Sequence, residues 1–114
     1  MKFRLSKNSI RFRLSQEDID ILDREGFVEN SIPLSQISST LFKYSLIATK
    51  SKDLSSCFLN NHFRLFIPED LIGEWINTDK IGFETTIEMA GGNPVNILIE
   101  KDFHFFKPGN KDND

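Results

Sequence analysis

Residues 2–14 read Lys-Phe-Arg-Leu-Ser-Lys-Asn-Ser-Ile-Arg-Phe-Arg-Leu, and apolar and basic side chains alternate on both sides of a short polar segment. Because successive side chains of a β-strand point to opposite faces, this alternation predicts a β-hairpin with one apolar and one basic face. The apolar face consists of Phe3, Leu5, Ile10, Phe12 and Leu14. The basic face consists of Lys2, Arg4, Arg11 and Arg13. The hairpin therefore predicts part of a hydrophobic core and a cationic surface.

The composition is that of one ordinary globular domain, with 114 residues, 39% of them hydrophobic and 27% charged. We predict a single domain over residues 1–106 and a disordered polar tail over 107–114. The single cysteine, Cys57, excludes an intramolecular disulfide and a cysteine-based zinc cluster. Its alternating surroundings favour a buried, inert thiol. The chain has no apolar run of signal-peptide or membrane length, so we expect a cytoplasmic protein that does not enter a membrane.

Two helices are indicated by their capping residues. Ser15 precedes an acidic turn that contains Asp18, which is typical of a capping box, and Gly26 supplies a stop, so we predict a helix over about residues 16–25. Pro68 begins a second helix, since proline has no amide hydrogen to leave unpaired in the first turn. The spacing of Trp75 with the neighbouring apolar residues places it on the buried stripe of that helix.

The predicted elements follow the order strand, strand, helix, strand, strand, and this order occurs twice. A shift of 53 positions aligns Asn8 with Asn61 and Arg11 with Arg64, with one gap before the helices. The sequence thus predicts a duplicated ββαββ unit and an α+β fold. Short connections favour an antiparallel sheet or open barrel of about eight strands with two short helices.

The opening MKFRLSKNSIRFRLS, the segment PEDLIGEWINTDKIGFE and the late ILIEKDF resemble a family of small uncharacterised bacterial proteins without an assigned function. The resemblance covers nearly the whole chain. The duplicated plan is also similar to the CYTH-like triphosphate tunnel enzymes, in which an eight-stranded barrel lines a channel with Arg, Lys and Glu. In that family an opening Glu-x-Glu-x-Lys motif helps to bind metal and phosphate. Residues 2–6 read KFRLS here, so no metal ligand carries over from that motif.

Guanidinium groups are planar forks that match phosphate or carboxylate oxygens, and neighbouring cations raise the local positive potential. The candidate anion-binding residues are Lys2, Arg4, Arg11, Arg13 and Arg64. The alternative is a solvated sheet face whose cations are neutralised by carboxylates across the sheet. Those carboxylates are Glu84, Glu88 and Glu100, which are also the candidate ligands for Mg²⁺ or Mn²⁺. His62 and His104 lack a third ligand at a recognisable spacing, so we expect neither to bind metal or act as a base.

The leading prediction is a small non-catalytic domain that binds a phosphate-containing or other anionic ligand or partner through the basic face, without a cofactor. The alternative is a CYTH-like triphosphate-binding protein or metal-dependent phosphohydrolase that uses Mg²⁺ or Mn²⁺. The net charge of −3 makes a nucleic-acid partner an unfavourable choice. The aromatic residues Phe103, Phe105 and Phe106 either seal the core or dock a protein partner or a second copy of the chain.

Overall fold

The computed structural model describes residues 1–102 of the chain. The predicted domain boundary at residue 106 and the three aromatic residues Phe103, Phe105 and Phe106 lie outside the described residues. The described part has eight strands and two helices: β1 (Lys2–Ser6), β2 (Ser9–Leu14), α1 (Gln16–Glu25), β3 (Phe27–Pro33), β4 (Leu41–Thr49), β5 (Ser55–Leu59), β6 (His62–Pro68), α2 (Glu69–Ile76), β7 (Gly82–Glu88) and β8 (Pro94–Lys101). The α+β class, the eight strands and both helices are confirmed.

The strands form two four-stranded sheets. The first sheet has the order β1-β2-β8-β7 and the second sheet has the order β3-β4-β6-β5. The outer pairs of each sheet are antiparallel, whereas the central pairs β2–β8 and β4–β6 are parallel. Both sheets are therefore mixed and have open edges, which differs from a purely antiparallel sheet. The parallel pairs arise because each sheet joins a hairpin from one half of the chain to a hairpin from the other half.

The repeated ββαββ order is confirmed, and the repeat is more regular than the sequence indicated. The 53-residue shift superimposes the first residues of β1 and β5, of β2 and β6, of α1 and α2, and of β4 and β8. The gap that the sequence comparison placed before the helices is not needed, since the same shift matches buried Ile19 with buried Ile72 and buried Leu22 with buried Trp75. The halves differ mainly in the connections around β3 and β7.

The core lies between the inner surfaces of the two sheets and is closed by the helices. At one end aromatic rings pack directly across it, with ring centroids 4.7 Å apart for Phe3 and Tyr44 and 6.2 Å apart for Phe12 and Phe63. The buried helix residues belong to the same hydrophobic cluster. Each fully buried large apolar side chain contributes roughly 1.5–3 kcal/mol. Within residues 1–102 the interior is therefore filled with hydrocarbon and is not a channel lined by Arg, Lys and Glu as in a tunnel enzyme.

The N-terminus of α1 is fixed by hydrogen bonds. Ser15 Oγ accepts a hydrogen bond from Asp18 N at 3.2 Å, and Asp18 Oδ2 accepts one from Ser15 N at 3.0 Å. The α-amino group of Met1 lies 2.8 Å from the same Oδ2 atom. Burial raises the pKa of Asp18, but the hydrogen bonds from the amino group and Ser15 outweigh it, so the pKa lies below its ordinary value. Gly26 ends the helix with φ of 84°, which favours glycine.

The second helix begins at Glu69, and Pro68, which was predicted as its first residue, is instead its N-cap and the last residue of β6. No side chain caps this N-terminus. The helix is held in place mainly by Trp75, whose side chain is completely buried. The indole Nε1 donates a hydrogen bond to the carbonyl oxygen of Ile81 at 2.9 Å, and the ring meets Phe83 edge to face. The predicted core position of Trp75 is confirmed. Within residues 1–102, neither helix has the length and apolar character that crossing a bilayer requires.

Candidate functional site

The basic side chains predicted from residues 2–14 lie on the outer surface of the first sheet. The hairpin register places Lys2 opposite Arg13 and Arg4 opposite Arg11, so the cations form two directly opposed pairs. Phe12, between the two arginines in sequence, is fully buried on the inner surface. The predicted separation of basic and apolar side chains on this hairpin is confirmed, except that Leu5, which was expected in the core, is 61% exposed and lies outside the hydrophobic cluster. Together, these four side chains form the basic face: Lys2, Arg4, Arg11 and Arg13.

Like charges directly opposite each other on neighbouring strands destabilise a sheet unless other groups compensate them. Glu100 lies opposite Arg13 in the parallel β2–β8 pair. Its Oε1 accepts hydrogen bonds from Arg13 Nη2 at 2.9 Å and Nε at 3.1 Å, and lies 3.6 Å from Arg11 Nε. Lys2 Nζ lies 3.6 Å from Asp102 Oδ2. Two carboxylates thus compensate three of the four cations and hold both arginine side chains of β2 in place.

Arg4 and the neighbouring Lys7 differ from the other cations of this region. Both side chains are exposed. No carboxylate within residues 1–102 lies at ion-pair distance from either one. Their charges are therefore available to an external anion, and the surface around β1 and β2 carries an excess of positive charge.

The three carboxylates predicted as metal ligands do not converge. Glu100 is directed at the arginines of the basic face, and Glu84 accepts a hydrogen bond from Asn96 Nδ2. Glu88 lies at the end of β7, opposite Pro94. In the part of the chain that the structure describes, no group of three or more His, Cys, Asp or Glu residues is arranged to hold a metal ion. The Mg²⁺ or Mn²⁺ site thus stays a sequence prediction without a matching arrangement.

Arg64 is separated from the basic face, because the two halves place equivalent residues on opposite sides of the molecule. It is the counterpart of Arg11 under the 53-residue shift, but it lies in β6, opposite Ser45 and Cys57 of the second sheet. Its neighbour Leu65 is fully buried, so Arg64 belongs to the outer surface of the second sheet. The five candidate cations therefore do not form one group. Four of them lie on the first sheet, and Arg64 lies on the second sheet.

Cys57 lies on the same outer surface as Arg64 and is exposed. The expectation of a buried thiol is wrong. Alternation alone does not bury a side chain, because Cys57 lies on the outer surface and, within residues 1–102, β5 has a neighbouring strand on one side alone.

The outer surface of the second sheet carries a polar cluster that no local pattern in the sequence predicted. Ser45 Oγ donates a hydrogen bond to Glu29 Oε1 at 3.1 Å and is hydrogen-bonded to His62 Nε2, which lies 3.4 Å from the same carboxylate oxygen. A serine–histidine–carboxylate relay requires the hydroxyl and the carboxylate on different ring nitrogens. Here both contact Nε2, and the serine proton is directed to the carboxylate. Ser45 is also 1% exposed, so this cluster links three strands rather than presenting a nucleophile.

The ring of His62 is neutral over a wider pH range than an ordinary histidine. Burial lowers its pKa, the positive charges of Arg64 and Lys43 lower it further, and the carboxylate of Glu29 opposes them. The residues of this cluster lie on β3, β4 and β6, which are separate segments of the sequence. Their proximity could be predicted only from the registers of these three strands.

The fold and these surfaces define a small α+β domain whose two ββαββ halves share two mixed sheets. A family model described as "Family of unknown function (DUF7009)" matches residues 1–114, and the chain belongs to this family. No match was found among curated proteins or among solved structures. The resemblance to an uncharacterised family is thereby confirmed, whereas the similarity to CYTH-like enzymes has no counterpart in these comparisons.

Proposed function

We propose that this protein is a non-catalytic interaction domain that binds the acidic surface of a protein partner through the basic face and the adjoining Lys7. The observation that carries the proposal is the charge excess around β1 and β2. Arg4 and Lys7 are exposed and make no ion pair with the described carboxylates, although three other cations nearby are compensated. Uncompensated charge of one sign attracts oppositely charged surfaces and speeds their association.

The shape of the surface supports a protein partner over a small phosphate compound. Small-ligand sites are usually concave and enclose most of the ligand. The basic face is the outer surface of a sheet, and its cations are spread along two strands. Glu100 lies between the arginines and the rest of the sheet, where it would repel a compact polyphosphate. An acidic protein surface has separated carboxylates that can avoid Glu100 and still reach Arg4 and Lys7.

The alternative function, a triphosphate-binding or metal-dependent phosphohydrolase activity, has less support. It requires Arg64 to act with the arginines of β2, and these residues lie on different sheets. It also requires Glu84, Glu88 and Glu100 to converge on a metal, and within residues 1–102 they do not.

The test uses the full chain and a fluorescent peptide rich in Asp and Glu, with binding followed by anisotropy at several salt concentrations. We expect wild-type binding that weakens as salt rises, because the attraction is between exposed charges. The double variant Arg4→Glu with Lys7→Glu is expected to bind at least about tenfold more weakly, since it reverses both uncompensated charges. The matched control is Lys50→Glu with Lys52→Glu, which reverses two exposed cations of the β4–β5 connection.

Equal losses of peptide affinity in the two double variants would show that binding depends on the overall charge of the protein. That result would contradict specific binding at the basic face. Absence of binding by the wild-type protein would also contradict it. A parallel thermal-shift arm uses inorganic triphosphate with and without Mg²⁺ or Mn²⁺. Metal-dependent stabilisation followed by phosphate release would overturn the proposal in favour of the phosphohydrolase.

A further inference from the structure

β1 and β5 are equivalent edge strands that differ in how they are protected against pairing with other chains. Each is the outer strand of a hairpin, and the 53-residue shift superimposes them residue by residue. β1 reads KFRLS and carries Lys2 and Arg4, whereas β5 reads SSCFL and carries no charge. Charged side chains on an edge discourage the addition of a further strand. By this criterion β1 is protected and β5 is not.

The backbone groups of β5 that remain available can be identified from its neighbours. Lys43 N donates a hydrogen bond to Asn61 O, so the odd-numbered residues of β6 direct their backbone groups toward β4. The even-numbered residues of β6 therefore bond to β5, and they lie opposite Ser55, Cys57 and Leu59. The N–H and C=O groups of Ser56 and Phe58 consequently point away from the sheet. Within residues 1–102, β5 pairs with β6 alone.

We propose that β5 is a dimerisation edge, at which a second copy of this chain adds its own β5 in antiparallel orientation centred on Cys57. In this register Ser56 lies opposite Phe58 of the second copy, and Ser55 lies opposite Leu59 of the second copy. Each large side chain then faces a small one, and the outward backbone groups of Ser56 and Phe58 bond to each other across the two-fold axis. The second sheets of the two copies become one continuous sheet.

The side chains along β5 fit this occupant. Phe58 is 62% exposed although it lies on the inner side of the sheet opposite Phe63, so its ring is available for contact. Ser56 Oγ lies 3.8 Å from Met89 Sδ, beside a groove that is also lined by Ile87. Phe58 of the second copy, opposite Ser56, would lie over Met89 and cover that groove.

A second copy is favoured over an unrelated chain because the edge is complementary to itself. β5 has no charged residue, so no like charges meet when two copies pair along this edge. Two β1 edges would instead bring Lys2 and Arg4 of each copy together. A five-residue edge covers far less than the roughly 800 Å² per partner of a standard stable interface. The dimer is therefore weak and concentration-dependent.

The first test is sedimentation velocity on the full chain over about a hundredfold range of concentration, in which mass action reveals a weak dimer. We expect the wild-type protein to shift toward a dimer as concentration rises. Phe58→Lys places a charge on the edge and is expected to keep the protein monomeric. The matched control is Leu5→Lys, at the equivalent position of β1, where the wild-type side chain is 61% exposed. This control is expected to dimerise like the wild type.

The second test locates the interface through the single cysteine. Directly opposed residues that are not hydrogen-bonded to each other have Cα atoms about 4.5 Å apart, so a short bifunctional maleimide is expected to link Cys57 to Cys57 of the second copy. Cys57→Ser is expected to dimerise without being crosslinked. Circular dichroism establishes that each variant is folded, and Ser56→Lys replaces Phe58→Lys if the latter is not. A wild-type monomer at every concentration, or a dimer that survives the β5 lysine, would overturn the proposal.

Discussion

The two helices occupy equivalent places in the two halves of the molecule, yet different interactions hold them. α1 begins at a capping box in which Ser15 and Asp18 satisfy each other's backbone amides. α2 lacks a side-chain cap and depends on Trp75, which fills the position of Leu22 with a larger side chain and adds a hydrogen bond to Ile81. Local hydrogen bonds in one half are thus replaced by packing in the other. The first two predictions below test this difference, and the third concerns two equivalent strand positions, His62 and Ser9.

The largest effect is expected from Trp75→Ala, compared with Leu22→Ala. Truncation of a buried tryptophan lowers the free energy of unfolding by about 3–5 kcal/mol, and truncation of a buried leucine lowers it by about 2–5 kcal/mol. We expect Trp75→Ala to be the more damaging of the two, because it also removes the indole hydrogen bond to the Ile81 carbonyl and the contact with Phe83. Urea denaturation followed by circular dichroism measures both. A larger loss for Leu22→Ala would show that α2 does not depend on its tryptophan.

A smaller effect is expected from the capping box. Ser15→Ala removes the side-chain acceptor for Asp18 N and should lower the free energy of unfolding by about 1 kcal/mol. The control is Asp70→Asn in the first turn of α2, an exposed acid at a helix end without a side-chain cap, for which we expect a loss of roughly 0.3 kcal/mol. The same denaturation assay applies. Equal losses at the two positions would contradict the proposed dependence of α1 on its cap.

The smallest effect is expected in the pH dependence of stability. It depends on His62, whose counterpart in the first half, Ser9, does not titrate in this range. Because the pKa of His62 is lowered in the folded protein, the unfolded chain binds this proton more readily. The stabilising contribution is present above the ordinary histidine pKa of about 6.5 and is lost as pH falls through the lower folded value. We expect wild-type stability to decline on acidification above the range in which carboxylates titrate. His62→Gln should flatten that decline, and an unchanged slope would contradict the assignment.

Local signals in the sequence predicted much of this fold. The cap at Ser15 and the glycine at position 26 defined α1 over residues 16–25, as the structure has it. The alternation of residues 2–14 predicted the buried side chains of the first hairpin, apart from Leu5, which is exposed. These signals act between residues close in sequence, so a single chain displays them without any knowledge of its tertiary structure.

The remaining features depend on pairings between distant strands. Arg13 and Glu100 are 87 positions apart, and only the parallel β2–β8 register brings them together. The position of Arg64 on the second sheet follows from the exchange of hairpins between the halves. The cluster of Glu29, Ser45 and His62 requires the registers of three strands at once. None of these arrangements leaves a local pattern in the sequence.

The exchange of hairpins between the two sheets has a consequence for how the chain acquires its structure. Neither ββαββ half contains all the strands of one sheet. The apolar inner surface of each half is therefore exposed until the other half packs against it. The molecule is therefore expected to fold in one cooperative step instead of half by half. A single half could complete both sheets only by associating with an identical copy.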